Sequence, residues 1–262
     1  MRREDRMRAL FAGEEVDRPP FTLFFHLGHH HFHNGAAAFA EQEVQLFDHY
    51  QFDFMKVMND FPHPMPEGVE VIDGPEDLLK MEEVEIQETP FSHQLQAIAI
   101  LHRDLAEQRG CPFWDTLFNP WFTIRRHLLG DDIYRYMQEH PRALHHALDV
   151  VTENSLRYAA ASIAQGAQGI YLSVLLACIG GRSTETPRIL NGGYDGQRAR
   201  ADLANGAAAL IAFGQPFIAN PDLPERLRRG GPFNAPEMAY IHGGGARGYT
   251  DYPALDPSKD PA

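Results

Sequence analysis

Cysteine is nearly absent from this chain: Cys111 and Cys178 are the two in 262 residues. Two isolated thiols exclude a disulfide framework and a cysteine-based zinc site, and both are expected to be reduced and buried. Basic residues are also scarce, 23 Lys and Arg against 36 Asp and Glu, for a formal charge of -13. That deficit argues against nucleic acid or an anionic membrane surface as the partner, since either selects a basic face. A small-molecule ligand is expected instead. No apolar run is long enough to cross a bilayer, and Met1-Arg2-Arg3-Glu4-Asp5-Arg6 opens a charged stretch without a signal-peptide core, so a cytoplasmic location is expected. Low-complexity linkers and short repeats are missing too. The 44% hydrophobic content suffices for one large core or two small ones.

What is present alternates between helical and strand-like segments. Residues 3–13 place Met7, Leu10 and Phe11 at helical spacing, and Pro19-Pro20 precede a strand-like run from Phe21 to Phe25. A helix fits Ala36 to His49, followed by a strand over Phe52–Met58. Ser92 caps a helix through Leu105 that stops near Gly110, and Pro112–Phe118 reads as the next strand. Pro141 opens a long helix carrying Leu144, Leu148, Val151 and Leu156, ending at Gly166 before a strand over Ile170–Val174. Arg188–Asn191 and Ala208–Phe213 are two further strands around a helix that Asp195 caps and Gly206 ends. Asp222 and Glu225 form a capping box for a last helix closed by Gly230.

Strands alternating with helices imply a parallel sheet, because parallel neighbours need a crossover connection. The expected class is α/β, a TIM-type (β/α) barrel. Six strands are recognisable where a closed barrel needs eight, and the dozen or so residues between the fourth and fifth leave no room for two βα units. The barrel is therefore expected to be incomplete or composite. Open sheet edges of that kind favour homo-oligomerisation.

Four stretches in the first part of the chain resemble the uroporphyrinogen decarboxylase family: Glu14-Glu15-Val16-Asp17-Arg18-Pro19-Pro20, Phe52-Asp53-Phe54-Met55-Lys56-Val57-Met58-Asn59-Asp60, Asn119-Pro120-Trp121, and Gln165-Gly166-Ala167-Gln168-Gly169-Ile170. This resemblance covers residues 1–176 and implies a barrel lyase acting on a tetrapyrrole-like or other carboxylated substrate. Asp60 matches the family's aspartate that stabilises the cationic intermediate. Independently, a carboxylate at the C-terminal end of a barrel strand sits where such active sites are built. The family's arginine-bearing segment is replaced by His26-Leu27-Gly28-His29-His30-His31-Phe32-His33, and its tyrosine beyond Pro-Trp by Arg126. Of the histidines, His26 is closest to the strand end and is the candidate to line a pocket. Adjacent loop histidines bind adventitious metal readily, so no metal site is assigned.

Residues 187–257 resemble the C-terminus of Old Yellow Enzyme, the family of FMN-dependent ene-reductases. The matching residues are Arg188-Ile189-Leu190-Asn191-Gly192-Gly193-Tyr194-Asp195, Ala212-Phe213-Gly214-Gln215-Pro216-Phe217-Ile218-Ala219-Asn220-Pro221, and Gly243-Gly244-Gly245-Ala246-Arg247-Gly248-Tyr249-Thr250-Asp251-Tyr252-Pro253. The resemblance implies that Gly192, Gly193, Phe213, Gly214 and Gln215 hold the FMN phosphate. Glycines let backbone approach an anion closely, which suits that role. Gln215 replaces the family's phosphate-pairing arginine and His242 a tyrosine, so weak FMN binding is implied. The leading expectation is a decarboxylase-family lyase, with Asp60 and His26 at its active site. The alternatives are an FMN-dependent oxidoreductase and a catalytically silent fusion of two barrel fragments.

Overall fold

The computed structural model describes residues 1–22, 35–59, 61–173, 189–208, 210–240, 247–248 and 251–255. The chain divides into two compact units, one made of Met1–Gly28, Leu46–Met55 and Gly181–Ala262, the other of His29–Gln45 and Lys56–Gly180. Helices α1 (Arg3–Phe11), α2 (Gly35–Tyr50), α3 (Pro75–Leu78), α4 (Phe91–Leu101), α5 (Pro120–Ile124), α6 (Ile133–Glu139), α7 (Pro141–Ala164), α8 (Gly196–Ala204), α9 (Gln215–Ile218) and α10 (Leu223–Arg229) alternate with five described strands. These are β1 (Met55–Val57), β2 (Phe113–Phe118), β3 (Ile170–Ser173), β4 (Ile189–Asn191) and β5 (Leu210–Ala212). The result is α/β, an incomplete barrel of the TIM type with its strands in two short sheets. The expected first strand falls at Phe21–Phe25, of which Phe21 and Thr22 are described and lie outside any strand.

The second unit is built on the sheet β1-β2-β3, in which β2 and β3 run parallel with Asp115 opposite Ile170 and Phe118 opposite Ser173. Helix α7 covers it. Pro141 stands in its first turn, where no N–H partner is needed. Its buried positions Leu144, Ala147, Val151, Asn154, Tyr158 and Ser162 recur every three or four residues, one face of a helix. In the second half of the helix Leu156 is 59% exposed, and the buried line continues through Asn154, Tyr158 and Ser162. The apolar half packs against Leu78, Ile124, Ile133 and Tyr136. Ser92 is not a cap. Helix α4 starts one residue earlier, and Thr89 Oγ1 accepts from the Phe91 N–H.

In the first unit a buried ion cluster ties the N-terminal segments together. The Asp53 carboxylate is fully buried and accepts from Arg6 Nη1 at 2.5 Å, Arg18 Nη1 at 2.6 Å and the Phe21 N–H at 3.0 Å. Arg6 also pairs with Asp17 at 2.7 Å. Beside this cluster the rings of Phe21, Tyr50 and Phe52 gather around Phe217, with Phe21 stacked on it at 5.7 Å.

Strands β4 and β5 form a parallel pair with Asn191 opposite Ala212. Helix α8 begins as expected, the Arg198 N–H donating to Asp195 Oδ1 at 2.8 Å, and Gly206 beyond its end takes a φ of +72°. Asp195→Ala should therefore lower stability by about 1 kcal/mol, read from a urea midpoint. The capping box expected at α10 does not form. Asp222 instead accepts from the Arg226 side chain and the Leu255 N–H, while Glu225 pairs with Arg228 and Arg229. Arg226, 3% exposed, also donates to the carbonyls of Pro232 and Pro253. The pair Asp222–Arg226 thus anchors the C-terminal tail, which competes better for that carboxylate than a helix N-terminus does.

Candidate functional site

Parallel neighbours leave a sheet at the same end. The register of β4 and β5 therefore places Gly192-Gly193 and Phe213-Gly214-Gln215 side by side beyond the C-terminal ends of the two strands. Gly192 has φ +108° and Gly193 φ +62°, conformations that a side chain would strain. Open space lies where a Cβ on either residue would project. Packing therefore does not demand glycine there; the backbone conformation does, and it leaves the main chain accessible from outside. Tyr194 fixes the far side of the loop: it is buried, its hydroxyl donates to Asp202 Oδ2 at 2.8 Å, and Arg198 lies 4.4 Å from its ring. Gly214 stands ahead of α9, its carbonyl accepting from the N–H of Phe217, and Gln215 is exposed. All five residues expected to hold a phosphate are thus brought to one strand end. Among described residues the pair of loops is neutral and backbone-lined, suited to receiving an oxygen-rich group through N–H donors.

Asp60 and His26, the expected catalytic residues, lie outside the described residues, as do the rest of the 26–33 histidine segment and His242. Among the described residues no group of three His, Cys, Asp or Glu side chains could hold a metal ion.

The second unit carries a polar cluster that the sequence reading did not single out. Asp115 projects from β2 towards α4 and α7 and is fully buried. Its carboxylate accepts from Tyr158 Oη, from Ser162 Oγ at 2.9 Å, from Gln94 Nε2 at 3.2 Å and from the Thr116 N–H at 3.0 Å. Burial pushes its pKa up to about 6, against the pull of those four donors. Tyr158 also lines a cleft of about 30 Å³ beside Asn59, His63, Thr116 and His127. That is room for water molecules, not for an organic substrate. His63 is fixed as a neutral tautomer: Asn154 Nδ2 donates to its Nε2 at 3.2 Å, leaving Nδ1–H to donate to the Pro64 carbonyl at 2.9 Å. Burial also holds its pKa below the usual histidine value. A satisfied histidine and a saturated carboxylate stabilise the fold here; neither presents a reactive atom to a ligand. The available signal was an aspartate amid the apolar strand residues of Phe113–Phe118.

Comparison with known proteins bears on the two resemblances unequally. No family model matches the chain. Against curated proteins it is 42% identical over 73 residues to putative 12-oxophytodienoate reductase 12 of Oryza sativa subsp. japonica, covering 28% of this chain and 18% of that protein. It is 45% identical over 69 residues to putative 12-oxophytodienoate reductase 10 of the same plant, covering 26% and 22%. The matched stretch thus spans about a fifth of these relatives' length. Among solved structures, a methyltransferase from Methanosarcina mazei superimposes with a TM-score of 0.56 at 15% identity, over 85% of this chain and 77% of that one, which shows a shared fold. Morphinone reductase gives a TM-score of 0.40 at 22% identity, over 90% of this chain and 59% of that one.

These findings overturn the decarboxylase reading. The curated matches are reductases, no family model supports a uroporphyrinogen-decarboxylase-like region, and the lyase and tetrapyrrole expectations fall with it. The motifs that suggested it serve the fold: the exposed Asp17 and Arg18 pair with the buried Arg6 and Asp53, and Asn119 caps α5 by accepting from the Phe122 N–H at 2.7 Å. Short matches of that kind record local packing needs. What the chain does carry is a segment of about seventy residues homologous to the Old Yellow Enzyme-like 12-oxophytodienoate reductases.

Proposed function

We propose that this chain is an FMN-binding oxidoreductase of the Old Yellow Enzyme type, in which segment 187–257 is the flavin-phosphate half of the barrel. The observation that carries the reading is the pairing of β4 with β5, which sets Gly192-Gly193 and Phe213-Gly214-Gln215 at one strand end with open backbone. The glycine conformations fit a phosphate approaching the main chain, because N–H groups there can be directed at its oxygens. The bound flavin would supply hydride transfer to a small electron-poor substrate. The chain's own residues seat the phosphate end, and Tyr194 and Asp195 hold the first loop in shape.

The test is spectroscopic. The purified 262-residue chain is mixed with FMN, passed through gel filtration, and its visible spectrum recorded. A flavin band travelling with the protein is expected, whereas colourless protein with all FMN in the small-molecule fraction would overturn the reading. Gly192→Val should abolish that retention with an unchanged far-ultraviolet circular dichroism spectrum, because the residue is exposed and the strain is local.

A further inference from the structure

The strand-end loops lack a positive charge, and that feature has a consequence for which flavin they accept. Resting on the flavin reading above, we infer that this site takes neutral riboflavin nearly as well as FMN, and that Gln215 is the residue that sets this lack of discrimination. FMN differs from riboflavin by a phosphate that is largely dianionic at neutral pH. A site gains from that charge only where a cation meets it, since hydrogen bonds to ionised partners are about twice as strong as neutral ones.

Among the described residues of the C-terminal stretch the cations are engaged elsewhere. Residues 189–255 contain no lysine and six arginines. Arg198 lies over the Tyr194 ring and 3.9 Å from Asp202, and Arg200 donates to the Leu227 carbonyl at 3.2 Å. Arg226 is held by Asp222, Arg228 and Arg229 by Glu225, and Arg247 stacks on Tyr240 at 4.1 Å beside Glu237. At the loops themselves the exposed side chain after Gly214 is an amide, which offers two neutral donors and no charge. A dianion approaching there also meets the field of a chain carrying -13. The backbone N–H groups offset part of that repulsion. The net preference for the phosphorylated flavin is therefore small.

The experiment is a pair of fluorescence titrations of the full chain, with riboflavin and with FMN, repeated on Gln215→Arg. In the native chain the two dissociation constants should agree within about tenfold, and FMN binding should hold or tighten from low salt to about 0.15 M, where repulsion is screened. The arginine variant should tighten FMN by about tenfold to a hundredfold and leave riboflavin unchanged. A native chain that prefers FMN more than about a hundredfold, or loses FMN affinity steeply with salt, would show that another cation meets the phosphate and would overturn the inference. So would an arginine variant, folded by circular dichroism, that gains nothing for FMN. If neither flavin binds the native chain, the flavin reading itself falls. The salt titration needs no variant, so the inference can fail on the native protein alone.

Discussion

Replacing Asp115 with alanine should cost about 3–5 kcal/mol of stability, the scale of breaking a buried, fully hydrogen-bonded charge site. The reason is the number of donors left behind. Tyr158, Ser162, Gln94 and the Thr116 N–H all converge on this carboxylate, and all four residues are almost fully buried. Asp115→Asn should behave differently. One amide oxygen remains, the two hydroxyls can rotate to accept from the new NH2, and the cost of burying a charge disappears. Its loss should stay within about 1 kcal/mol. Urea denaturation of the three proteins at pH 7 checks the order, native and asparagine close together and alanine far below. An alanine variant as stable as the native chain would mean that the network does not form.

How legible this was in the sequence differs between its two halves. Helix α7 and the α8 cap were readable because local rules decide them: Pro141 fits only a first turn, and Asp195 has a free N–H three residues on. The strand-end loops were readable because glycines with positive φ carry their reason in the residue type. Asp222 looked like a cap and became a tail anchor, because the Leu255 N–H, from a distant part of the chain, and Arg226, itself held by the Pro253 carbonyl, outcompete a helix terminus. Asp115 stood out only as an aspartate in an apolar strand, and its role was not readable. Its partners come from residues 94, 158 and 162, and no local pattern announces that they meet. Asp53 shows the opposite hazard. It sits inside a motif that suggested lyase chemistry, yet its neighbours in space are two arginines and a backbone N–H, which makes it a tether.

Glu43 should make the native protein less stable as pH rises above neutrality, and Glu43→Gln should remove that loss. The side chain is 2% exposed, and burial pushes its pKa up to about 8 although Lys56 nearby pulls the other way. An acid whose folded pKa lies above its unfolded value of 4.5 favours folding while it is protonated. That contribution is whole below pH 4.5 and is lost as pH climbs through about 8. Two other buried groups titrate lower. Asp115 has the same sign and completes its change near pH 6, and His63, held neutral by burial, opposes both until about its ordinary value of 6.5. Among the described residues the fall between pH 6.5 and 8 therefore belongs to Glu43, at about 1.4 kcal/mol per pH unit, or about 2 kcal/mol across the window. In Glu43→Gln the amide copies the shape of the neutral acid and cannot ionise, so its melting temperature should stay level over that window and exceed the native value at pH 8. Parallel melting curves for the two proteins would instead mean that Glu43 is ionised in the fold and paired with Lys56, in which case the glutamine variant would be the less stable at every pH above 4.5.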